Sequence, residues 1–268
     1  MTYLGNSKGF IVKNQTKHAY TIGGKAEQLN NISRNLMPDY VVIPTEVGDY
    51  ELSEAISDAV KSLTADFKAF ANPKHRYAVR SSAVREDGDS QSYAGIFESK
   101  LNVPITGLEV AVRDVRDCVN AGRVHAYDVL KSADMTPNDV AVIIMDMVDA
   151  QYSGVLFSKE PVDGTDRMLV EYEEGVGGVV DGESDSHMLF LDSRNFHLSE
   201  KNLPYLSGKS TFSMDSPIHH KALKTIWEEA KRLENNYRKP VDIEWAIDKE
   251  GKPWVLQVRP ITAMKETA

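Results

Sequence analysis

Val241-Asp242-Ile243-Glu244-Trp245-Ala246-Ile247 and Trp254-Val255-Leu256-Gln257-Val258-Arg259-Pro260 flank a turn-rich stretch, Asp248-Lys249-Glu250-Gly251-Lys252-Pro253. Each flank alternates with period two, as strands do when successive side chains point to opposite faces, so the segment is expected to form an antiparallel hairpin. With Ile247 set opposite Trp254, the register follows by counting. Ile243 and Trp245 then share one face with Leu256 and Val258, while Glu244 lies opposite Gln257 and Asp242 opposite Arg259 on the other. Directly paired residues have Cβ atoms about 4.5–5.5 Å apart. A carboxylate, an amide oxygen and a guanidinium gathered so closely suit a metal-bound phosphate. The same pattern also describes a solvated face with one cross-strand ion pair, and the hairpin alone does not choose between them.

Working outward, the 268 residues suffice for one large domain or two small ones, and 41% hydrophobic with 26% charged residues is ordinary for a globular protein. A net charge of −9 argues against a nucleic-acid backbone as the main partner. Cys118 is the sole cysteine, which excludes an internal disulfide framework and a thiolate metal cluster; its place in a helical pattern points to packing. The first residues, Met1 to Lys8, lack the apolar core of a signal peptide, and the longest apolar run, Val140 to Met145, is far short of the roughly 20 residues that span a bilayer. A cytoplasmic protein without a membrane partner is expected.

Helical stripes recur at Leu52, Ile56, Val60, Leu63, Phe67 and Phe70, again from Leu108 through Val115 to Val129, and from Ala222 to Tyr237, all as core-facing apolar faces. A shorter helix is expected from Gly24 towards Leu36. Strand candidates are Tyr40 to Pro44, Arg76 to Arg80, Phe97 to Val103, Val140 to Val148, Ser153 to Ser158, Met168 to Glu173 and His187 to Leu191, besides the final hairpin. Their irregular spacing points to mixed α and β layers and not to a doubly wound sheet. A change from helix-rich to strand-rich pattern near Thr136-Pro137 suggests subdomains over residues 1–135 and 136–268. Ser207 to Pro217, rich in Ser and Gly, reads as a loop.

Three further segments carry chemistry. Thr21-Ile22-Gly23-Gly24-Lys25-Ala26 places two glycines and a lysine where a strand gives way to a helix, which suits an anion as well as a plain turn. It is no Walker A loop, which would want glycine at Ala19 and Ser or Thr at Ala26. Tyr77-Ala78-Val79-Arg80-Ser81-Ser82-Ala83 ends a strand in an arginine able to hold phosphate oxygens bidentately; the alternative is an exposed turn. Beyond it, Tyr93-Ala94-Gly95 has the small residues that a closing lid requires. Neither Ser81 nor Ser82 lies in a Gly-x-Ser-x-Gly elbow, so acyl transfer is not supported. Glu171-Tyr172-Glu173-Glu174-Gly175-Val176-Gly177 fails the dinucleotide fingerprint at Val180 and leaves either a strand edge facing a purine or a solvated acidic edge. His219 and His220, about 100° apart on a helix, cannot readily converge on one ion and read as surface or cap residues.

In order and spacing these segments resemble the ATP-binding domain of phosphoenolpyruvate synthase, pyruvate phosphate dikinase and rifampin phosphotransferase, within the ATP-grasp superfamily. The likeness runs through Gly23-Gly24-Lys25-Ala26, Val79-Arg80-Ser81-Ser82-Ala83, Ser153-Gly154-Val155-Leu156-Phe157-Ser158, Glu171 with Gly175 and Gly177, Asp242-Ile243-Glu244-Trp245-Ala246 and Leu256-Gln257-Val258-Arg259-Pro260. The resemblance implies an α+β, ATP-grasp-like fold of two subdomains with the nucleotide between them. It implies that Lys25 and Arg80 hold the nucleotide phosphates, that Glu171 lies by the adenine, that Glu244 and Gln257 bind Mg²⁺, and that Arg259 stabilises charge on the phosphoryl group in flight. ATP and Mg²⁺ are therefore the expected cofactors, and catalysis would rest on positioning and electrostatics.

Family members pass the phosphoryl group to a histidine on a separate swivelling domain. None of the seven histidines here sits in the Gly- and Thr-rich context of that acceptor. The acceptor is thus expected on another, histidine-bearing polypeptide or to be a small molecule. The alternative is a module that binds nucleotide without turning it over, in an interaction or regulatory role.

Overall fold

The computed structural model describes residues 2–4, 10–13, 21–63, 75–83, 87–88, 91–92, 99–118, 136, 139–176, 186–197 and 212–261. The chain forms two compact units, one of residues 1–27 and 38–147, the other of residues 28–37 and 148–268.

The first unit is built on a six-stranded sheet in the order β1 (Thr2–Leu4), β2 (Phe10–Lys13), β3 (Tyr40–Ile43), β8 (Val140–Asp146), β4 (Arg76–Ala83) and β7 (Ser99–Pro104). Among the described strands only the β2–β3 pair is parallel, and the chain between those strands runs through helix α1 (Gly23–Leu29), as parallel strands need a crossover. Six of the seven residues of β8 are buried, because its continuous Val-Ala-Val-Ile-Ile-Met run lies between two neighbouring strands and is covered on both faces. Helices α2 (Asp49–Leu63) and α3 (Leu108–Asp117) complete the core, where Leu52, Leu108 and Val112 meet Ile43, Tyr77, Val79, Val142 and Ile144. Fully burying a side chain of this size stabilises the fold by about 1.5–3 kcal/mol.

Strand β7 bulges against β4 between Tyr77 and Val79, with Asn102 in the left-handed region at φ 57°, a conformation asparagine tolerates better than most residues. A two-residue ladder of β5 (Asp87–Gly88) and β6 (Gln91–Ser92) stands apart. These strands, with β1 and β2, went unforeseen because two to four residues give no periodicity to count.

Helix α1 is shorter than expected: it stops at Leu29, and Arg34–Leu36 is a separate 3₁₀ turn. Between them Asn31 and Ile32 donate to the carbonyls of Gln28 and Leu29, three residues back, at 3.0 and 3.2 Å. Asparagines at 30 and 31 compete with helical bonding and favour such a tightened end. The expected continuation of α3 to Val129 and of α2 through Phe67 and Phe70 lies outside the described residues, as do Tyr93-Ala94-Gly95 and residues 207–211 of the Ser207 to Pro217 loop; residues 212–216 are turn and irregular backbone, and Pro217 already begins the last helix. Cys118 is buried, in keeping with packing.

The second unit carries a five-stranded antiparallel sheet in the order β11 (His187–Asp192), β10 (Arg167–Glu174), β9 (Ala150–Phe157), β12 (Val241–Asp248) and β13 (Pro253–Pro260). Helix α4 (Pro217–Tyr237), with Pro at its first position, packs on β12 and β13 through Ala222, Leu223, Ile226, Ala230 and Leu233. The buried carboxylate of Glu229 interrupts this apolar stripe. It accepts from the Ser33 N–H (2.7 Å), the Ser33 hydroxyl (2.8 Å) and the Arg232 guanidinium (2.6 and 2.9 Å), which fastens residues 28–37 to the helix.

Asp248 closes the last hairpin. Its carboxylate accepts from the backbone of Glu250 and Lys252 and from Trp254 Nε1, and Gly251 supplies φ +78°. Glu244 faces Gln257 and Asp242 faces Arg259 as counted. The anchoring pair differs: Trp254 lies opposite Ala246, not Ile247, because Leu256 is an extra residue in a bulge. Val255, fully buried, therefore takes the place beside Trp245 that counting gave to Leu256.

Candidate functional site

In the first unit the glycine-lysine turn is held by one strand residue. Gly23 adopts φ +73°, and a Cβ there would stand 2.0 Å from the Ser82 carbonyl oxygen, so position 23 admits only glycine. The Ser82 hydroxyl accepts from the Ala26 N–H at 2.9 Å and donates to the Ile22 carbonyl at 2.7 Å. Those two groups are the ones that the first i, i+4 contact of α1 joins, and Gly23, Gly24 and Lys25 are the residues between them. Lys25 is only 8% exposed.

Alternation along β4 sends Tyr77 and Val79 into the core and Arg80 with Ser82 to the opposite face. Ser81 lies on the core side, its Oγ buried with no hydrogen-bond partner among the described residues, a placement unsuited to a nucleophile. The preceding residue, Thr21, is braced by the loop before α2: Thr45 N–H donates to its carbonyl at 3.1 Å and Glu46 Oε1 accepts from its N–H at 2.9 Å. That loop is itself tied to α3, where buried Arg116 donates to the carbonyls of Val47 and Pro44 at 2.7 and 2.9 Å.

In the second unit, pairing lines up the charged groups in rows. Met188, Glu171, Val155, Glu244 and Gln257 are successive direct partners across all five strands. The next row on the same face is Phe190, Leu169, Phe157, Asp242 and Arg259. Strands lie about 4.8 Å apart, so Glu171 and Glu244 are about 10 Å from one another while Glu244 and Gln257 are immediate neighbours.

The opposite face is apolar. Tyr152, Leu156, Tyr172, Ile243, Trp245 and Val258 are all buried there, and the Tyr152 ring meets His219 of α4 at 5.1 Å. The acidic and basic groups are therefore carried on the face opposite α4, where Glu244 and Gln257 are themselves buried. Close packing of β9 on β10 also needs Gly154, where a Cβ would stand 2.0 Å from the Glu171 carbonyl oxygen.

Within this face Arg259 Nε donates to Asp242 Oδ1 at 3.1 Å, which orients the guanidinium across the strand pair. Burial and, second, the charge of Glu160 raise the pKa of Glu171 above the usual carboxylate value. Glu160 is itself buried and lies 3.5 Å from Arg167, whose guanidinium also meets Asp163 at 3.1 Å and sits 4.1 Å over the Phe190 ring. Sequence reasoning missed this Glu160–Arg167 pair and the clamp by Ser82. For Ser82 a signal was present, since strand alternation puts it on the face of Arg80.

Each predicted residue thus has a described place: Lys25 and Arg80 in the first unit, Glu171, Glu244, Gln257 and Arg259 together on one sheet face of the second. Among the described residues no group of three or more His, Cys, Asp or Glu side chains is arranged to hold a metal by itself. Nor is any described helix long and apolar enough to cross a membrane. His219, half-buried in the first turn of α4, accepts from the Ser213 N–H through its Nδ1 at 3.1 Å while the ring stacks on Phe212.

Comparison with known proteins bears on this arrangement. A probable phosphoenolpyruvate synthase of Methanothermobacter thermautotrophicus is 28% identical over 90% of this chain and 38% of its own length. An uncharacterized phosphotransferase of Bacillus subtilis is 27% identical over 98% of this chain and 34% of its own. The chain thus spans between a third and two fifths of these relatives. Among solved structures, the dinucleotide-forming acetyl-coenzyme A synthetase 1 of Ca. Korarchaeum cryptofilum, in complex with coenzyme A, Ca-AMPCP and HgCl⁺, superposes with a TM-score of 0.50. That match covers 90% of this chain and 92% of the other at 13% identity, a likeness of fold, and the fold is α+β of the ATP-grasp-like kind. Residues 8–268 match the description "Pyruvate phosphate dikinase, AMP/ATP-binding domain", and to that family the chain belongs.

Proposed function

We propose that the chain is the Mg²⁺-dependent, ATP-binding part of a phosphotransferase of the dikinase type, which passes a phosphoryl group from ATP to an acceptor on another polypeptide or to a small molecule. The observation that carries this reading is the pairing of buried Glu244 with buried Gln257 beside Asp242 and Arg259 on the sheet face opposite α4.

The donor set fits Mg²⁺. One carboxylate and one amide oxygen are hard ligands, and this ion usually takes one or two carboxylates with phosphate oxygens and water, not an all-protein cage. That preference agrees with the lack of a larger acidic cluster among the described residues. When bound, the ion would supply charge neutralisation to the polyphosphate.

The remaining work belongs to side chains. Arg259, turned by Asp242, would offer its fork to the phosphoryl group as charge spreads over the equatorial oxygens. Lys25 supplies a compact positive charge and Arg80 a planar fork for phosphate oxygens. Glu171, on the same row as Glu244 but two strands away, would lie at the base end of the nucleotide.

Incubation with Mg²⁺ and γ- or β-labelled ATP, with Glu244→Ala as control, tests the proposal. Release or transfer of label that the substitution abolishes is the expected result. Nucleotide binding without turnover would instead support a non-catalytic module, and release of ADP that depends on an added carboxylate would support a ligase.

A further inference from the structure

We propose that Ser82 is a positioning residue for Lys25, a role that rests on reading Lys25 as a phosphate-binding group. Three observations converge on it. The Ser82 hydroxyl bridges Ile22 and Ala26, the two ends of the turn that contains Lys25. The Ser82 carbonyl lies where a side chain at residue 23 would be, so the turn is held from both its backbone and its hydroxyl sides. Alternation places Ser82 on the same strand face as Arg80, two residues earlier.

A single strand, β4, therefore places two cations: Arg80 directly, and Lys25 through the serine hydroxyl. Helix α1 has only seven residues, too few to define its own first turn firmly. A contact from the sheet supplies what the helix lacks. Ser82 is fully buried, so its hydroxyl has these groups as partners in place of water. An ammonium on a flexible stem gains most from such a fixed base, because its point charge has no planar fork to fix its direction.

The test is a double-mutant cycle read by calorimetric binding of Mg²⁺–ATP to the full chain, with the thermal midpoint followed alongside. Ser82→Ala is expected to weaken binding by about five- to tenfold, the effect of one well-placed hydrogen bond. Ser82→Thr, which keeps the hydroxyl, stays within about twofold of the unmodified chain, and in a Lys25→Met background Ser82→Ala adds less than about twofold. Should Ser82→Ala fail to fold, Ser82→Cys takes its place in the cycle.

A serine that matters only for folding would weaken binding by the same factor with or without Lys25 and would not be rescued by threonine; that result overturns the inference. If Lys25→Met weakens binding while Ser82→Ala does not, only the role of Ser82 falls. If Lys25→Met binds as tightly as the unmodified chain, the phosphate role of Lys25 falls as well.

Discussion

The two units place their charged side chains by different means. In the second, Glu171, Glu244 and Gln257 share a row because their strands are neighbours in a hydrogen-bonded ladder, and many backbone bonds divide the constraint. In the first, Lys25 depends on a glycine and on a serine hydroxyl that bonds its neighbour Ala26 from 56 residues away. A ladder tolerates the loss of any one side chain. A clamp concentrates its effect in one contact, so substitutions there should be local in origin and severe in consequence.

The largest expected effect comes from a clamp in the second unit, which would break any simple rule that this unit is the tolerant one. Glu229→Ala removes the buried carboxylate that Ser33 and the partly exposed Arg232 share and should cost about 3 kcal/mol or more in urea unfolding, because several hydrogen bonds to one charged group, each about 1.5–3 kcal/mol, are lost together. Acid should do the same in part. Burial alone would raise the pKa of Glu229, but hydrogen bonds from Arg232 and Ser33 outweigh it and hold the value below the usual one. With the folded pKa depressed, the stabilisation is present above the unfolded value and is lost as pH falls through the folded one. Unfolding measured across acidic pH should show that limb in the parent and a flatter one in Glu229→Gln.

Next come the two glycines, which sharpen the comparison directly. Gly23→Ala and Gly154→Ala each force a Cβ to 2.0 Å from a carbonyl oxygen, and each should lose roughly 1–3 kcal/mol or more as the backbone shifts. Gly23→Ala carries a further strain of about 1 kcal/mol from its positive φ. It should also weaken ATP binding beyond what its stability loss explains, whereas Gly154→Ala should lower the melting midpoint with the smaller effect on affinity.

A smaller effect is expected from Asp242→Asn. The Asp242–Arg259 pair is partly exposed, so stability should change by no more than about 1 kcal/mol while the turnover of labelled ATP falls. The smallest is a gain: Arg238 ends α4 at φ 54°, and Arg238→Gly should raise stability by roughly 0.5–1 kcal/mol in the same unfolding assay.

The same contrast explains what could be read from the amino-acid order. The row of the last hairpin was legible only because the chosen anchor, Ile247 opposite Trp254, lies one residue from the observed pair and the extra residue Leu256 restores the pairing of Glu244 with Gln257. The bulge at Leu256 was not, since one extra residue shifts pairing without altering the alternation that precedes it. The end of α1 was misjudged because local asparagine bonding overrode an apolar pattern. The hold of Ser82 on Ile22 and Ala26 and that of Ser33 on Glu229 are contacts between distant segments. No local period records them, and only the folded backbone brings them together.

Glu244 and Gln257 are proposed to hold the divalent cation that accompanies the nucleotide. Titration of ATP into the chain with and without Mg²⁺, repeated for Glu244→Ala, tests it most directly. The expected result is an affinity that Mg²⁺ strengthens in the parent and that is weak and indifferent to Mg²⁺ in the variant. An affinity equally strengthened by Mg²⁺ in both proteins would contradict it.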